Sequence, residues 1–289
     1  MMQQTGVDPT IGLILVRPAQ ILGAEPFYHE LIAGLDGTLG PAGLGLLLQV
    51  VSSAQEEDET YSRWVKQGSV VAVLLVDLTR SDRRVPLLRS LGLQAVIVGD
   101  PQTAGGYPAV WTDDAGAMRN AVRHLTALGH RRICHVSGPG SYAHSQIRAE
   151  TLTGMALELG ITAVEIESNY SEEDGDRATR SALEMEDPPT AIIYDDDLMA
   201  LGGLQAASEL GVNVPEMLSV LTWDDSILCH LSKPKLSAMS HDIQAIGELA
   251  AQAVIELLKQ GKTTNHEAAM AVLVTRGSTA PPPSPLAKP

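Results

Sequence analysis

The stretch TAIIYDDDLMALGGLQAASELG, Thr190 to Gly211, decides the fold. A short apolar run meets three consecutive carboxylates, Asp195, Asp196 and Asp197, and a helix-forming segment closed by Gly211 follows. A run of four to eight apolar residues without alternation suits a strand covered on both faces. An aspartate at the join suits a helix N-cap. The stretch therefore reads as one strand-helix unit of a parallel sheet.

The same unit recurs in both directions. TIGLILV (Thr10 to Val16), LGLLLQVV, VVAVLLVD, QAVIVGD and PAVWTDD read as strands on the amino-terminal side, with helices in EPFYHELIAGLDGTLG, DETYSRWVKQG and RRVPLLRSLG. DDAGAMRNAVRHLTALGH reads as a long amphipathic helix, with His130 expected to interact with its C-terminal carbonyls. RRICHVSGP, a helix over about Arg148 to Leu159, AVEIESN, a helix near Arg177 to Met185, and LSVLTWDD continue the alternation. HDIQAIGELAAQAVIELLKQG is the last long helix, AMAVLVTRGST ends the fold, and 281–289 is expected to be a disordered proline-rich tail. Ten or eleven strands exceed one comfortable sheet, so the fold class is α/β with two similar lobes.

Composition excludes several functions. Of 289 residues, 44% are apolar and 19% charged, which is globular. No apolar run approaches the roughly 20 residues of a membrane span. The start MMQQTGVDPT has neither a basic segment nor a signal-peptide core, and a cytoplasmic address is expected. Cys134 and Cys229 are too few for a disulfide framework, and Cys134 reads as core. A formal charge of -15 argues against nucleic-acid binding by this chain alone.

In open parallel sheets ligands bind beyond the carboxyl ends of the strands. Those positions are Arg17, Asp77, Asp100, Asp113, Gly138 with Ser141, Asp195 to Asp197, and Asp224 with Asp225. A magnesium-dependent phosphotransferase would use Asp195, Asp197 and Asp224. It would also need a hydroxyl residue soon after, where Leu198, Met199 and Ala200 stand, and a lysine that is not found. SGPGSYAHS (Ser137 to Ser145) has no nucleophile elbow and no P-loop lysine, and the eight histidines lack metal-ligand spacing. No catalytic group, metal or cofactor is expected. Asp197 is expected to cap the helix, and Asp196 to face a ligand.

HLTALGHRRICHVSGP, DDLMALGGLQAASELGVNVPEMLSVLTWDD, LSKPKLSAMSHDIQAIGELAAQAVIELL and LVTRGST, in this order and spacing, closely resemble the LacI/GalR family of bacterial transcription regulators. The resemblance runs from about Thr10 to Thr279. It implies a type I periplasmic-binding-protein-like effector domain with three crossovers. Residues 10–132 plus 241–261 would form one lobe and 133–240 plus 262–280 the other, with a sugar-like or nucleoside-like effector in the cleft. It implies a homodimer whose operator contact comes from a helix-turn-helix absent here, so the chain is either a fragment or a member without DNA contact of its own. Effector binding would shift the population of the DNA-competent state.

Residue by residue, Asp224 matches a family carboxylate and is the leading effector contact. Asp196 stands where the family has Asn, and Asp113 matches a strand-end Asp. Phe27 and Tyr28 match an aromatic pair that either lines the pocket or splits into a core Phe27 and a rim Tyr28. Trp223 either stacks on the ligand or fills the core. Thr151 occupies the place of the family's effector-contacting Arg, for which Arg148, nearly one helical turn earlier, would substitute. Arg17 and Arg148 together would favour an anionic effector. The remaining rival in another class is a sugar transporter's solute-binding protein.

Overall fold

The computed structural model describes residues 9–16 and 26–283. It divides into two compact units, one running up to Thr112 with Asp242–Ala268, the other Asp113–His241 with the segment from Ala269. The chain passes between them three times.

The first unit contains β1 (Thr10–Val16), α1 (Pro26–Leu39), β2 (Gly45–Val51), α2 (Ala54–Gln67), β3 (Ala72–Leu75), α3 (Arg84–Ser90), β4 (Gln94–Val98) and β5 (Ala109–Trp111). Its six-stranded sheet has the order β11-β5-β4-β3-β1-β2 and is parallel throughout, β11 being His266–Glu267. Period-two alternation sorts each strand between two cores. Ile11, Leu13 and Leu15 of β1 face one cluster with Leu31 and Leu35, whereas Ile14 faces another with Tyr61 and Trp64.

The second unit runs α4 (Asp114–Leu128), β6 (Arg132–Ser137), α5 (Ala143–Leu159), β7 (Thr162–Glu167), α6 (Glu172–Leu183), β8 (Ala191–Tyr194), α7 (Asp197–Glu209), β9 (Ser219–Trp223), α8 (Ile227–Leu231) and β10 (Ser237–Ser240). α9 (Ile243–Gln260) returns to the first unit and β12 (Val272–Val274) to the second. The second sheet has the order β12-β10-β9-β8-β6-β7, with β12 alone antiparallel to its neighbour. Ile192 and Tyr194 face one core, Ala191 and Ile193 the other.

The expected lobe boundaries shift by one residue at His241, which belongs to the second unit, and by more in two other places. α4 belongs to the second unit and not to the first, because Ala117, Met118, Val122 and Leu125 bury against Ile133, Ile193 and Trp223. Residues 262–268 belong to the first unit, because β11 pairs with β5 and Asn265 accepts the Ala109 N–H. The helix expected at Arg177 begins at Glu172, where the Ser171 hydroxyl caps it by accepting the Asp174 N–H. The helix expected at Arg148 begins at Ala143.

Only the backbone N–H of His130 meets a carbonyl of α4, that of Leu125 at 3.0 Å; its imidazole does not. Its ring is buried against Thr190 Oγ1 (2.8 Å), Ser219 Oγ (3.0 Å) and the Ala280 carbonyl (3.0 Å). The same Ser219 hydroxyl accepts the Ala280 N–H, so the proline-rich segment begins anchored to the sheet. Residues 284–289 of the expected tail lie outside the described residues.

Glycines set how closely the covering helices approach. A Cβ on Gly202 would stand 1.9 Å from the Glu172 carbonyl oxygen, and one on Gly175 2.1 Å from that of Met199. α6 and α7 thus touch backbone to backbone. In the first unit Gly34 and Gly247 play the same part for α1 and α9, with 2.1 Å to Gln244 O and 2.4 Å to Leu31 O. On an exposed helix Gly→Ala stabilises by up to about 1 kcal/mol. Here Gly202→Ala is expected to destabilise by about 1–3 kcal/mol through overpacking, read as a lower urea midpoint.

Candidate functional site

Both sheets have the doubly wound order, which reverses direction between β1 and β3 in one unit and between β6 and β8 in the other. Ligands of such sheets bind at the carboxyl ends beside that reversal. In the second unit this point is Gly138 after β6 and Asp195 after β8.

Asp195 is buried, and three donors converge on it. The Gly138 N–H reaches Oδ2 at 3.0 Å, while Arg148 Nη1 and His135 Nε2 reach Oδ1 at 2.9 Å each. Burial opposes ionisation, but the Arg148 guanidinium and the His135 ring outweigh it and hold the Asp195 carboxyl far below the usual carboxylate range. His135 is itself fully buried and meets Glu165 Oε2 at 3.0 Å through Nδ1. Burial disfavours its charged form, yet the two carboxylates raise its pKa to about 9. A ring with an acceptor at each nitrogen is an imidazolium.

Arg148 continues the network. Nε and Nη2 bind Asp114 Oδ1 at 2.8 and 2.7 Å, and the guanidinium lies 4.2 Å from the centre of the Trp223 ring. Stacking on an indole and pairing with two carboxylates keep it charged and held. Trp223 is 1% exposed and is a core residue. Thr151, where the family's arginine would stand, donates to Ile147 O at 2.7 Å within its own helix. Asp113 caps α4 by accepting the Gly116 N–H at 2.7 Å.

The acidic triplet divides otherwise than expected. Asp196, extended at φ -152°, is the N-cap and accepts the Met199 N–H at 2.7 Å; Asp197 is already helical. An N-cap has non-helical dihedrals, which Asp196 has and the helical Asp197 lacks. Asp197 is buried and accepts the Ser226 N–H at 3.3 Å. Burial, and then the charge of Asp224, push its pKa up to about 6.

Asp224 follows β9 with φ 64°, a left-handed backbone that costs a non-glycine residue of order 1–3 kcal/mol. Its Oδ1 lies 2.6 Å from His241 Nε2. Among the described residues the other non-glycine positions at positive φ are Asp77 and Tyr170, which also follow the carboxyl ends of strands. Strain is thus concentrated where a ligand would bind. Asp225 is engaged by Arg276 at 2.8 Å.

At the first unit's carboxyl edge, the Tyr28 hydroxyl donates to Asp77 Oδ2 at 2.6 Å, and Phe27 meets Tyr28 edge to face. Tyr28 is buried and Phe27 only partly so, the reverse of a core Phe27 with a rim Tyr28. Arg17 lies outside the described residues. Among the described residues no group of three or more His, Cys, Asp or Glu is placed to hold a metal, and no helix is long and apolar enough to cross a membrane.

His135 and His241 were not among the residues singled out from sequence. His135 had one signal, a lone titratable residue inside the apolar strand RICHVS. His241 had none.

A family model for the periplasmic binding protein-like domain matches residues 122–279. The HTH-type transcriptional regulator AglR of Rhizobium meliloti is 30% identical over 99% of this chain and 82% of its own length. The solved structure of a LacI family transcriptional regulator from Bifidobacterium animalis subsp. lactis is 34% identical, covers 94% of this chain and 98% of its own, and superposes with a TM-score of 0.86. That of a CelR–cellobiose complex is 25% identical, with coverage of 94% and 86% and a TM-score of 0.84. The chain belongs to the LacI family of transcriptional regulators, of which it comprises the periplasmic-binding-protein-like, effector-binding region. Its relatives are regulators, which favours that class over a transporter's solute-binding protein.

Arg148→Met should cost about 3–5 kcal/mol in chemical denaturation, because it leaves the Asp195 carboxylate buried with its main cation gone. The raised pKa of His135 gives a second expectation. Its contribution to stability is complete below the unfolded value of about 6.5 and is lost as pH rises through about 9. Between pH 7 and 10 the wild type should therefore lose more stability than His135→Gln, measured by urea titration at each pH.

Proposed function

We propose that this chain senses a neutral, polyhydroxylated effector, a sugar or a nucleoside, at the carboxyl edge of the second unit's sheet. Asp224 is its principal hydrogen-bond acceptor. The observation that carries this reading is the state of the arginines. Arg148 is neutralised by Asp114 and Asp195, and Arg276 by Asp225. With both arginines paired, the edge is lined by carboxylates, Asp224 foremost. Carboxylates accept hydroxyl and amine donors and repel phosphate. For Arg148 this argues against the anionic effector that it suggested together with Arg17, which lies outside the described residues.

The cellobiose bound by the CelR relative supports a sugar. Recognition needs no bond making, so the chain acts as a binding module and not as an enzyme. As in HTH-type relatives, operator DNA would be read by a helix-turn-helix segment, since a chain of formal charge -15 gains little from phosphate. The functional unit would be a homodimer, because family headpieces read paired half-sites. Effector binding would shift the population of the DNA-competent state by its preference for one arrangement.

Thermal unfolding against cellobiose, maltose, ribose, adenosine and glucose 6-phosphate tests the reading. A ligand at about 100 times its Kd stabilises by about 2.7 kcal/mol, a clear rise in Tm. The expected hits are neutral. Asp224→Gly, which relaxes the left-handed backbone, should stay folded and bind the hit at least tenfold more weakly, since a hydrogen bond to a charged group contributes about 1.5–3 kcal/mol. A hit confined to glucose 6-phosphate would refute the proposal.

A further inference from the structure

β7 is an edge strand of the second sheet, and Glu165 on it stands opposite His135 in the parallel register. The Glu165 side chain is 41% exposed, whereas those of His135 and Asp195 are fully buried. From this edge a line of charged groups runs inward. Glu165 Oε2 meets His135 Nδ1 at 3.0 Å, His135 Nε2 meets Asp195 Oδ1 at 2.9 Å, and Arg148 Nη1 meets the same oxygen at 2.9 Å. Arg148 ends the line, on Asp114 and over the ring of Trp223, the residue before Asp224. The line thus crosses β7, β6 and the end of β8, and stops one residue short of the proposed effector contact.

Charge balance accounts for an imidazole at this place. The cluster sets three carboxylates, Glu165, Asp195 and Asp114, against Arg148 and His135. Two further groups face it: His144 at the start of α5 acts on Asp195 in the same direction as Arg148, and Tyr170 after β7 lies near Arg148. While His135 is charged, Asp195 has a cation of its own and Arg148 can serve Asp114 as well. A neutral ring would aim a lone pair at one of its two carboxylates. It would keep Nε2–H on buried Asp195 and release Glu165, whose carboxylate can turn to water. Arg148 would then be the main counter-charge for two carboxylates, and its place over Trp223 would lose the balanced pairing that fixes it.

We propose that the His135 imidazolium is a positioning residue for effector binding: bridging Glu165 and Asp195, it holds Arg148 against Trp223 and so fixes the end of β9, where Asp224 meets the effector. The ring touches no ligand itself. Effector affinity is thereby tied to a charge buried in the sheet and, through Nδ1, to Glu165 at the sheet's outer edge. The inference rests on the reading of this edge as the effector site and adds what keeps it in its binding arrangement.

Cellobiose, maltose and ribose serve as probes, titrated calorimetrically between pH 7 and 10 into wild type, His135→Gln and Glu165→Gln, with Tm recorded in each buffer. Wild type should bind best with the ring charged and lose affinity as pH rises through about 9. One unit above that value only about a tenth of the molecules are competent, an apparent loss of about tenfold. His135→Gln should bind more weakly at pH 7 and lose nothing further up to pH 10. Glu165→Gln, at a half-exposed position, carries the test should His135→Gln not fold: it removes the outer counter-charge, so the midpoint of the loss should move down by about one pH unit. Nitrogen-15 spectra of the sugar-free wild type supply a readout independent of any variant, with both His135 nitrogens protonated at pH 7. If either variant follows the wild-type pH profile at wild-type affinity, or if His135 has an unprotonated nitrogen at pH 7, the inference falls while the effector reading stands. If none of the three sugars binds wild type at any pH, the reading falls and takes the inference with it.

Discussion

The buried carboxylate of Asp195 organises the second unit. Removing a charge from water costs several kcal/mol even after relaxation, and this one is sustained because a backbone N–H, a guanidinium and an imidazolium are all aimed at it. Each donor comes from a different element: the turn after β6, helix α5, and the interior of β6. Arg148 then extends the tie to Asp114 at the start of α4 and to Trp223 at the end of β9. Such a network adds little net stability over apolar packing. It does specify one arrangement of the strand ends, since any other would strand a charge.

That arrangement also fixes the charge of the edge. Arg148 is committed internally to Asp114 and Asp195, and Arg276 to Asp225. The strained backbone of Asp224 belongs to the same economy. A left-handed aspartate is tolerated where a short polar side chain makes a local hydrogen bond, and the bond to His241 is such a bond.

The two units solve the same packing problem in the same way. Both sheets reverse winding one strand from the edge, and both cover one face with a helix pair brought together by facing glycines. In each, the residues after the strand ends bear the strain, Asp77 in the first and Tyr170 and Asp224 in the second. The first unit's edge instead joins Tyr28 to Asp77.

The alternation of apolar runs and amphipathic helices determined the α/β class, the two sheets and most strand positions, because burial on both faces imposes a local composition. The motifs around HLTALGHRRICHVSGP and LSVLTWDD determined the family. The strand-end rule selected Asp77, Asp100, Asp113, Asp195 to Asp197, Asp224 and Asp225 from 35 acidic residues. Their roles were beyond sequence. Adjacent aspartates differ in composition not at all, and only the dihedrals at the start of α7 make Asp196 the cap and Asp197 a buried acid. Arg148 reads as a free cation until the fold sets Asp114, Asp195 and Trp223 around it, residues 34, 47 and 75 positions away. His241 stands 17 residues from Asp224 and meets it only because β9 and β10 are neighbours in the sheet. Local propensity and burial are written into short stretches of chain, whereas the ionisation and pairing of a side chain depend on what long-range packing brings to it.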